Sequence, residues 1–336
     1  MKKYLYEVIP IRLFLIVTLV FYHAFCIFSG AWKSIGGYPE IPIYSILDKL
    51  SYACLLETFV FISGYIFGFQ VRKKGFMALS ANSIFIKKFK RLIIPSILFS
   101  FLYILLLGNI KQPITQILYD LINGVGHMWF LPMLFWCFVG VYVIEWLKMR
   151  ANIALCVLFL MIFLSAIPLP FRIGNSFYYL FFFYIGYLFQ KLEWKLPQNK
   201  LLFVLATCLF VASFVLKLLI GNISGEFGLF FKVLLYVSNS LVRAVCASMG
   251  IIILLYGATF IINHMNVSSS SLLYLSDCCF GVYLFQQFIL KFIYNGELPH
   301  LLNPYLLPWI SFVVSLIVSI VLTILLRKTK IGRQIL

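Results

Sequence analysis

Arg12 and His23 lie eleven positions apart within one apolar run. At 3.6 residues per turn this spacing sets both on one face of a helix, about 16 Å apart along its axis. Ionisable groups inside a membrane-crossing helix are costly and default to functional candidates. A neutral histidine suits general-base work near neutral pH. The alternative is a structural hydrogen bond between helices, and for Arg12 a cation that snorkels to the membrane surface. Glu57 lies in the next apolar run, Glu57-Thr58-Phe59-Val60-Phe61-Ile62-Ser63-Gly64-Tyr65, at about the depth of His23. A carboxylate beside an imidazole would orient the ring and stabilise its charged form. The alternative is a carboxyl bonded to another polar group. Gly64 offers a site for close helix packing.

Seven cations fall in one stretch, Arg72-Lys73-Lys74 followed by Lys87, Lys88, Lys90 and Arg91 before Pro95. They read as an orientation signal or anionic-lipid contact, or as a dock for the phosphates of a cytoplasmic nucleotide donor. Gly126-His127-Met128-Trp129-Phe130-Leu131-Pro132 stands at the outer end of a later run. Trp129 and Phe130 suit an aromatic belt, and His127 could help bind an external hydroxylated acceptor. Near the C-terminus, Ser276 to Gln287 carries Asp277, Tyr283 and Gln286, polar groups that could simply tie helices together. Arg243 calls for the same reading. The eight cysteines form no CxxC pair, so they read as small buried hydrophobes and not as a zinc or disulfide framework. Phosphate-loop and HExxH patterns are missing.

The elements that must position these residues are helices in lipid. The chain of 336 residues is 63% hydrophobic and 11% charged, where soluble domains run near 45–50% and 25%. The apolar runs reach about twenty residues without alternating, which fits helices and not barrel strands. The fold class expected is an all-α, polytopic membrane helical bundle. About ten transmembrane helices are expected, near 11–31, 50–70, 92–108, 127–147, 153–168, 176–190, 201–220, 240–262, 272–293 and 305–326. Two of these, 153–168 and 176–190, are short. Segment 227–239 is ambiguous, with a break suggested at Ser238, Asn239 and Ser240. One membrane domain, 1–336, is expected. Lys2 and Lys3 precede an uncleaved first span. Of the 27 Lys and Arg, eighteen fall in segments assigned to the inside and five outside, so both termini are expected to be cytoplasmic. The net charge of +17 is thus topogenic, and no basic soluble module suggests nucleic-acid binding.

Taken in order, these motifs resemble the acyltransferase-3 family of bacterial membrane acyltransferases. Arg12 through His23 is similar to its Arg/Lys-x10-His, and Phe59 to Tyr65 to its segment ending in Ser-Gly-Tyr. Lys88-Phe89-Lys90-Arg91 before Pro95 is similar to its basic element, His127 to Leu131 to its Trp-Phe-Leu segment, and Phe280 to Gln286 to its closing Tyr-Leu-x-His. Lys88 stands where Arg is usual, and Gln286 where His is usual, so position 286 cannot do acid–base work here.

The resemblance implies about ten spans and O-acylation of a surface polysaccharide or glycolipid. It implies His23 as the catalytic residue, and the residues themselves suggest Glu57 to steady its imidazolium. It implies acyl-CoA, acetyl-CoA above all, as co-substrate near Arg12, Lys87, Lys88 and Arg91. The acceptor would pass His127 and Trp129 toward Tyr283 and Gln286. No permanently bound cofactor and no metal are expected. The expected partners are the bilayer, acyl-CoA, a carbohydrate or glycolipid acceptor and glycan-assembly proteins, and the expected location is the bacterial cytoplasmic membrane. Two other readings stay open: a transporter or flippase of a lipid-linked sugar, and an inactive family member that serves as an assembly partner.

Overall fold

Prolines and glycines set several helix ends. Helix α1 (Val8–Ser29) carries Pro10 in its first turn, where the missing N–H costs nothing. It stops at Gly30, whose φ of 81° is the left-handed cap that glycine adopts without strain. Helix α2 (Pro42–Ser51) begins on a proline, and α3 (Leu55–Lys74) follows after a short break. A π-helical stretch, Asn82–Ile93, leads directly into α4 (Ile94–Leu107). Then come α5 (Ile114–Asn123), a 3-10 turn (Gly126–Trp129), α6 (Phe130–Trp146), α7 (Ala151–Met161) and α8 (Ile173–Lys191). Helix α9 (Lys200–Gly221) is capped by the Asn199 side chain, which accepts from the Leu201 N–H at 2.9 Å. The chain continues through α10 (Leu229–His264), α11 (Ser270–Asn295), α12 (Leu298–Leu301), α13 (Leu307–Lys328) and α14 (Lys330–Ile335). The computed structural model describes residues 5–36, 38–75, 80, 82–108, 112–196, 198–223, 225, 228–264 and 270–335. Lys2 and Lys3 lie outside them.

Among the described residues, eight helices are long and apolar enough to cross a membrane, and they match eight of the ten expected segments. The two short segments also form helices. One, Ala151–Leu164, is too short to be counted with the eight. The other, α8, buries twelve of its 19 residues, many of them tyrosines. The break expected at Ser238 to Ser240 does not occur. Those residues continue inside the 36-residue α10, because polar side chains alone do not interrupt backbone hydrogen bonding as proline would.

Polarity is inverted relative to a soluble fold. Helix α13 buries Ser311, Ser315, Ser319 and Thr323 completely, while Val313, Ile317, Val321 and Leu325 face outward. Water would reverse that choice, whereas lipid rewards small and hydrogen-bonding residues at helix contacts.

The chain divides into two compact units. The first comprises Met1–Leu55, Ile94–Trp129 and His264–Leu336. Its centre is α1 packed on α2, α11 and α13. The hydroxyl stripe of α13 lets α11 approach closely, and a methyl on Gly281 would run into Thr323.

The second unit comprises Leu56–Ile93 and Phe130–Asn263. Helix α8 packs on α6 and α7, and the π-helical stretch lies along α6. Helices α3 and α8 meet backbone to backbone, as Gly64 suggested: a Cβ there would collide with the Phe183 carbonyl, and one on Gly186 with that of Phe61. Overpacked sites typically cost about 1–3 kcal/mol, and here the obstacle is backbone. Gly64→Val is therefore expected to destabilise the protein by about 3 kcal/mol or more. Thermal unfolding in detergent, followed by size-exclusion chromatography, checks this, and an unchanged midpoint would contradict the close approach.

Candidate active site

His23 projects from α1 into the first unit and is 7% exposed. Its Nδ1 lies 3.1 Å from Oε1 of Gln286 on α11. An amide oxygen only accepts, so with Oε1 as partner the ring proton sits on Nδ1 and the lone pair on Nε2. In that tautomer Nε2 is the nitrogen able to accept a proton. Gln286 is fully buried, and its own carbonyl accepts from the Ser315 hydroxyl of α13 at 3.0 Å. The amide Nε2 of Gln286 has no hydrogen-bond partner among the described residues.

A second imidazole stands beside the first, with the His23 and His127 ring centroids 6.2 Å apart. The 3-10 turn that carries His127 is tied to α4, where Ser96 donates to the Met128 carbonyl and the Ser100 hydroxyl accepts from the Val125 N–H. Gly126 precedes His127 with a φ of 55°, and a Cβ there would stand 2.6 Å from Gln287 Oε1. Only glycine serves both constraints. Gln287 Oε1 receives the His127 backbone N–H at 3.0 Å and faces Nδ1 at 2.6 Å, while Nε2 faces the Leu284 carbonyl at 3.2 Å. Both ring nitrogens of His127 thus face protein oxygens, of which the neutral ring can donate to one. The Tyr283 hydroxyl, expected near an acceptor, donates to the His127 carbonyl at 2.6 Å and fixes the turn. Trp129 closes the same turn and is half-buried.

Trp32, in the segment between α1 and α2, stacks on His23 with centroids 5.7 Å apart and planes at 22°. The Lys291 ammonium sits 3.6 Å from the Trp32 ring centroid, a cation held by the ring's negative face. Sequence reasoning passed over Trp32, Gln287 and Lys291. The signal available was Lys291, a charge beside a span, and the four-residue spacing of the α13 hydroxyls.

Glu57 belongs to the second unit, where its carboxylate has a partner of its own. The carboxylate expected to steady His23 is held by Arg243 of α10, at 2.7 and 2.9 Å. Arg243 also donates to the Tyr179 hydroxyl at 2.7 Å and lies 4.0 Å from the Tyr178 ring centroid. The physical reason is charge. A carboxylate only 1% exposed needs a permanent cation and a planar donor fork, and guanidinium supplies both.

The basic stretch is divided in its directions. Lys87 and Arg91 are exposed, whereas the Lys88 ammonium turns inward to 4.0 Å from the Phe138 centroid and 5.5 Å from that of Phe67. Arg12, half-buried near the start of α1, makes no ion pair among the described residues. All eight cysteines are free thiols.

A family model described as an acyltransferase domain, Acyl_transf_3, matches residues 6–328. The chain belongs to the acyltransferase-3 family. No curated protein and no solved structure matches it. As a member of that family it is a multi-pass membrane acyltransferase.

Arg243→Ala leaves Glu57 as an unpaired buried charge. Breaking such a pair costs about 3–5 kcal/mol, and the partial exposure of Arg243 places the loss at the lower end. The double variant Arg243→Met with Glu57→Gln is expected to recover most of that stability. Detergent thermal melts of the two test this, and equal losses would mean that the pair does not carry the effect.

Proposed function

We propose that this acyltransferase moves an acyl group, acetyl above all, from cytoplasmic acyl-CoA to a hydroxyl of a carbohydrate or glycolipid on the outer side of the bacterial cytoplasmic membrane. The observation that carries the reading is the His23–Gln286 contact, which leaves the His23 Nε2 lone pair for chemistry. In this reading Nε2 takes the proton of the acceptor hydroxyl while its oxygen attacks the thioester carbonyl. An ester forms, the carbon–sulfur bond breaks, and the imidazolium returns the proton to the coenzyme thiolate. An acyl-histidine intermediate is equally compatible with one lone pair on Nε2. Gln286 takes the orienting role first given to Glu57, so a residue unable to titrate still serves a titrating neighbour.

The donor contacts are proposed on chemical grounds. Lys87 and Arg91 are exposed cations suited to phosphates, and Arg12 is a cation at the expected cytoplasmic end of α1. Lys88 is proposed as a lesser contact, since its ammonium already rests on Phe138. His127, Trp129 and Tyr283 are proposed to wall the acceptor's approach to His23, and their own polar groups hold the wall in shape.

His23→Ala is expected to abolish transfer with expression intact. Gln286→Leu is expected to lower it about 100-fold, the low end of what general-base catalysis contributes. Mass spectrometry and NMR of surface glycans from cells carrying each variant read both effects as loss of a base-labile acyl group. Acylation that persists in His23→Ala would sink the assignment. Surface glycan that disappears while its acylation persists would favour transport instead.

A further inference from the structure

A cavity of about 570 Å3 opens in the first unit where the segment after α1 folds over the start of α2. Phe28, Trp32 and Tyr38 give it aromatic walls, and Ser34, Glu40 and Ser45 give it hydroxyl and carboxylate groups. Its size is that of a small-molecule site, which typically falls between about 300 and 1,000 Å3.

The walls are built and not draped. The Tyr38 hydroxyl donates to the Pro299 carbonyl at 2.7 Å, and the Tyr38 N–H donates to the Ile35 carbonyl. The Trp32 N–H donates to the Cys26 carbonyl at 3.2 Å, and the Trp32 ring packs on Tyr294. Trp32, Tyr38 and Phe28 all join the cluster around Phe25 and Leu290. Rings held in advance cost a ligand little ordering entropy.

Trp32 is also the ring stacked on His23. One side chain therefore forms both a wall of the cavity and a neighbour of the candidate base. From this juxtaposition we infer that the cavity binds an uncharged saccharide, the acceptor of the reaction proposed above, on which the inference rests. The rings of Phe28 and Tyr38 receive the C–H faces of a sugar, while Trp32, on which His23 and Lys291 already rest, holds the wall between cavity and imidazole. Glu40 accepts from the sugar hydroxyls, and Ser34 and Ser45 accept from or donate to them. The carboxylate of Glu40 in the lining disfavours an anion, and the Lys291 ammonium behind the wall is held against the Trp32 ring. Glu40 is acidic, and no Lys or Arg lines the cavity among the described residues.

Saturation-transfer NMR on the purified full chain in lipid nanodiscs, without any acyl donor, tests the site. The probes are maltose, cellobiose and N,N′-diacetylchitobiose, with glucose 6-phosphate as the anionic control. At least one neutral disaccharide is expected to show transfer to its ring protons, and the phosphate none. Ser45→Trp, which fills the cavity from α2, is expected to lower the signal about ten-fold, and Glu40→Gln and Trp32→Ala to weaken it. The inference falls if none of the three disaccharides binds, if glucose 6-phosphate binds as well, or if Ser45→Trp binds like the wild type. Binding as expected, with glycan acylation that His23→Ala leaves intact, would remove the proposed reaction and leave the cavity. Acyl transfer lost in His23→Ala but unchanged in Ser45→Trp, with no saccharide bound, would remove the cavity and leave the reaction.

Discussion

A polar side chain placed in hydrocarbon gains from a partner within the protein, because no water is there to replace it. This constraint organises both units. It explains why α13 turns its serines inward and its valines outward. It explains why Ser315 ends on the Gln286 carbonyl, and why a buried glutamate draws an arginine from a distant part of the chain. Each of these bonds joins helices, so each also sets the position of a side chain that could act in chemistry.

The two histidines show how the same constraint yields different roles. Both imidazoles are buried. His127 faces protein oxygens with both nitrogens, and while neutral it can donate to only one of them. His23 meets an acceptor with Nδ1 alone. The amide of Gln286 thereby selects the tautomer, which is the task a carboxylate performs in catalytic triads, without adding a second buried charge. A glutamine in place of the family's usual histidine is thus compatible with an active centre, and lends no support to an inactive partner on that ground alone.

Much of the architecture was legible because it depends on local composition. The length and evenness of the apolar runs predicted helices in lipid, and eight of the ten expected segments became helices fit to cross a membrane. The errors came where a polar patch was read as a break. Ser238, Asn239 and Ser240 lie inside α10, since their side chains leave the backbone ladder intact. The candidate residues were legible as ionisable groups at costly depths, which is why Arg12, His23, Glu57 and Arg243 stood out.

Pairing was not legible in the same way. Glu57 and His23 sit on consecutive apolar runs at similar depth, and that nearness in sequence suggested a pair. The sequence by itself determined the solvent, the helices, the family motifs and which ionisable residues are candidates for proton chemistry, because these follow from side-chain type and local spacing. Only the tertiary structure decided that Glu57 goes to Arg243, 186 positions away, and that Gln286, 263 positions from His23, orients the imidazole. Spacing along a helix determines its face, but the face opposite is chosen by packing: glycines where backbones meet, hydroxyls where helices touch, and a cation where a carboxylate is buried.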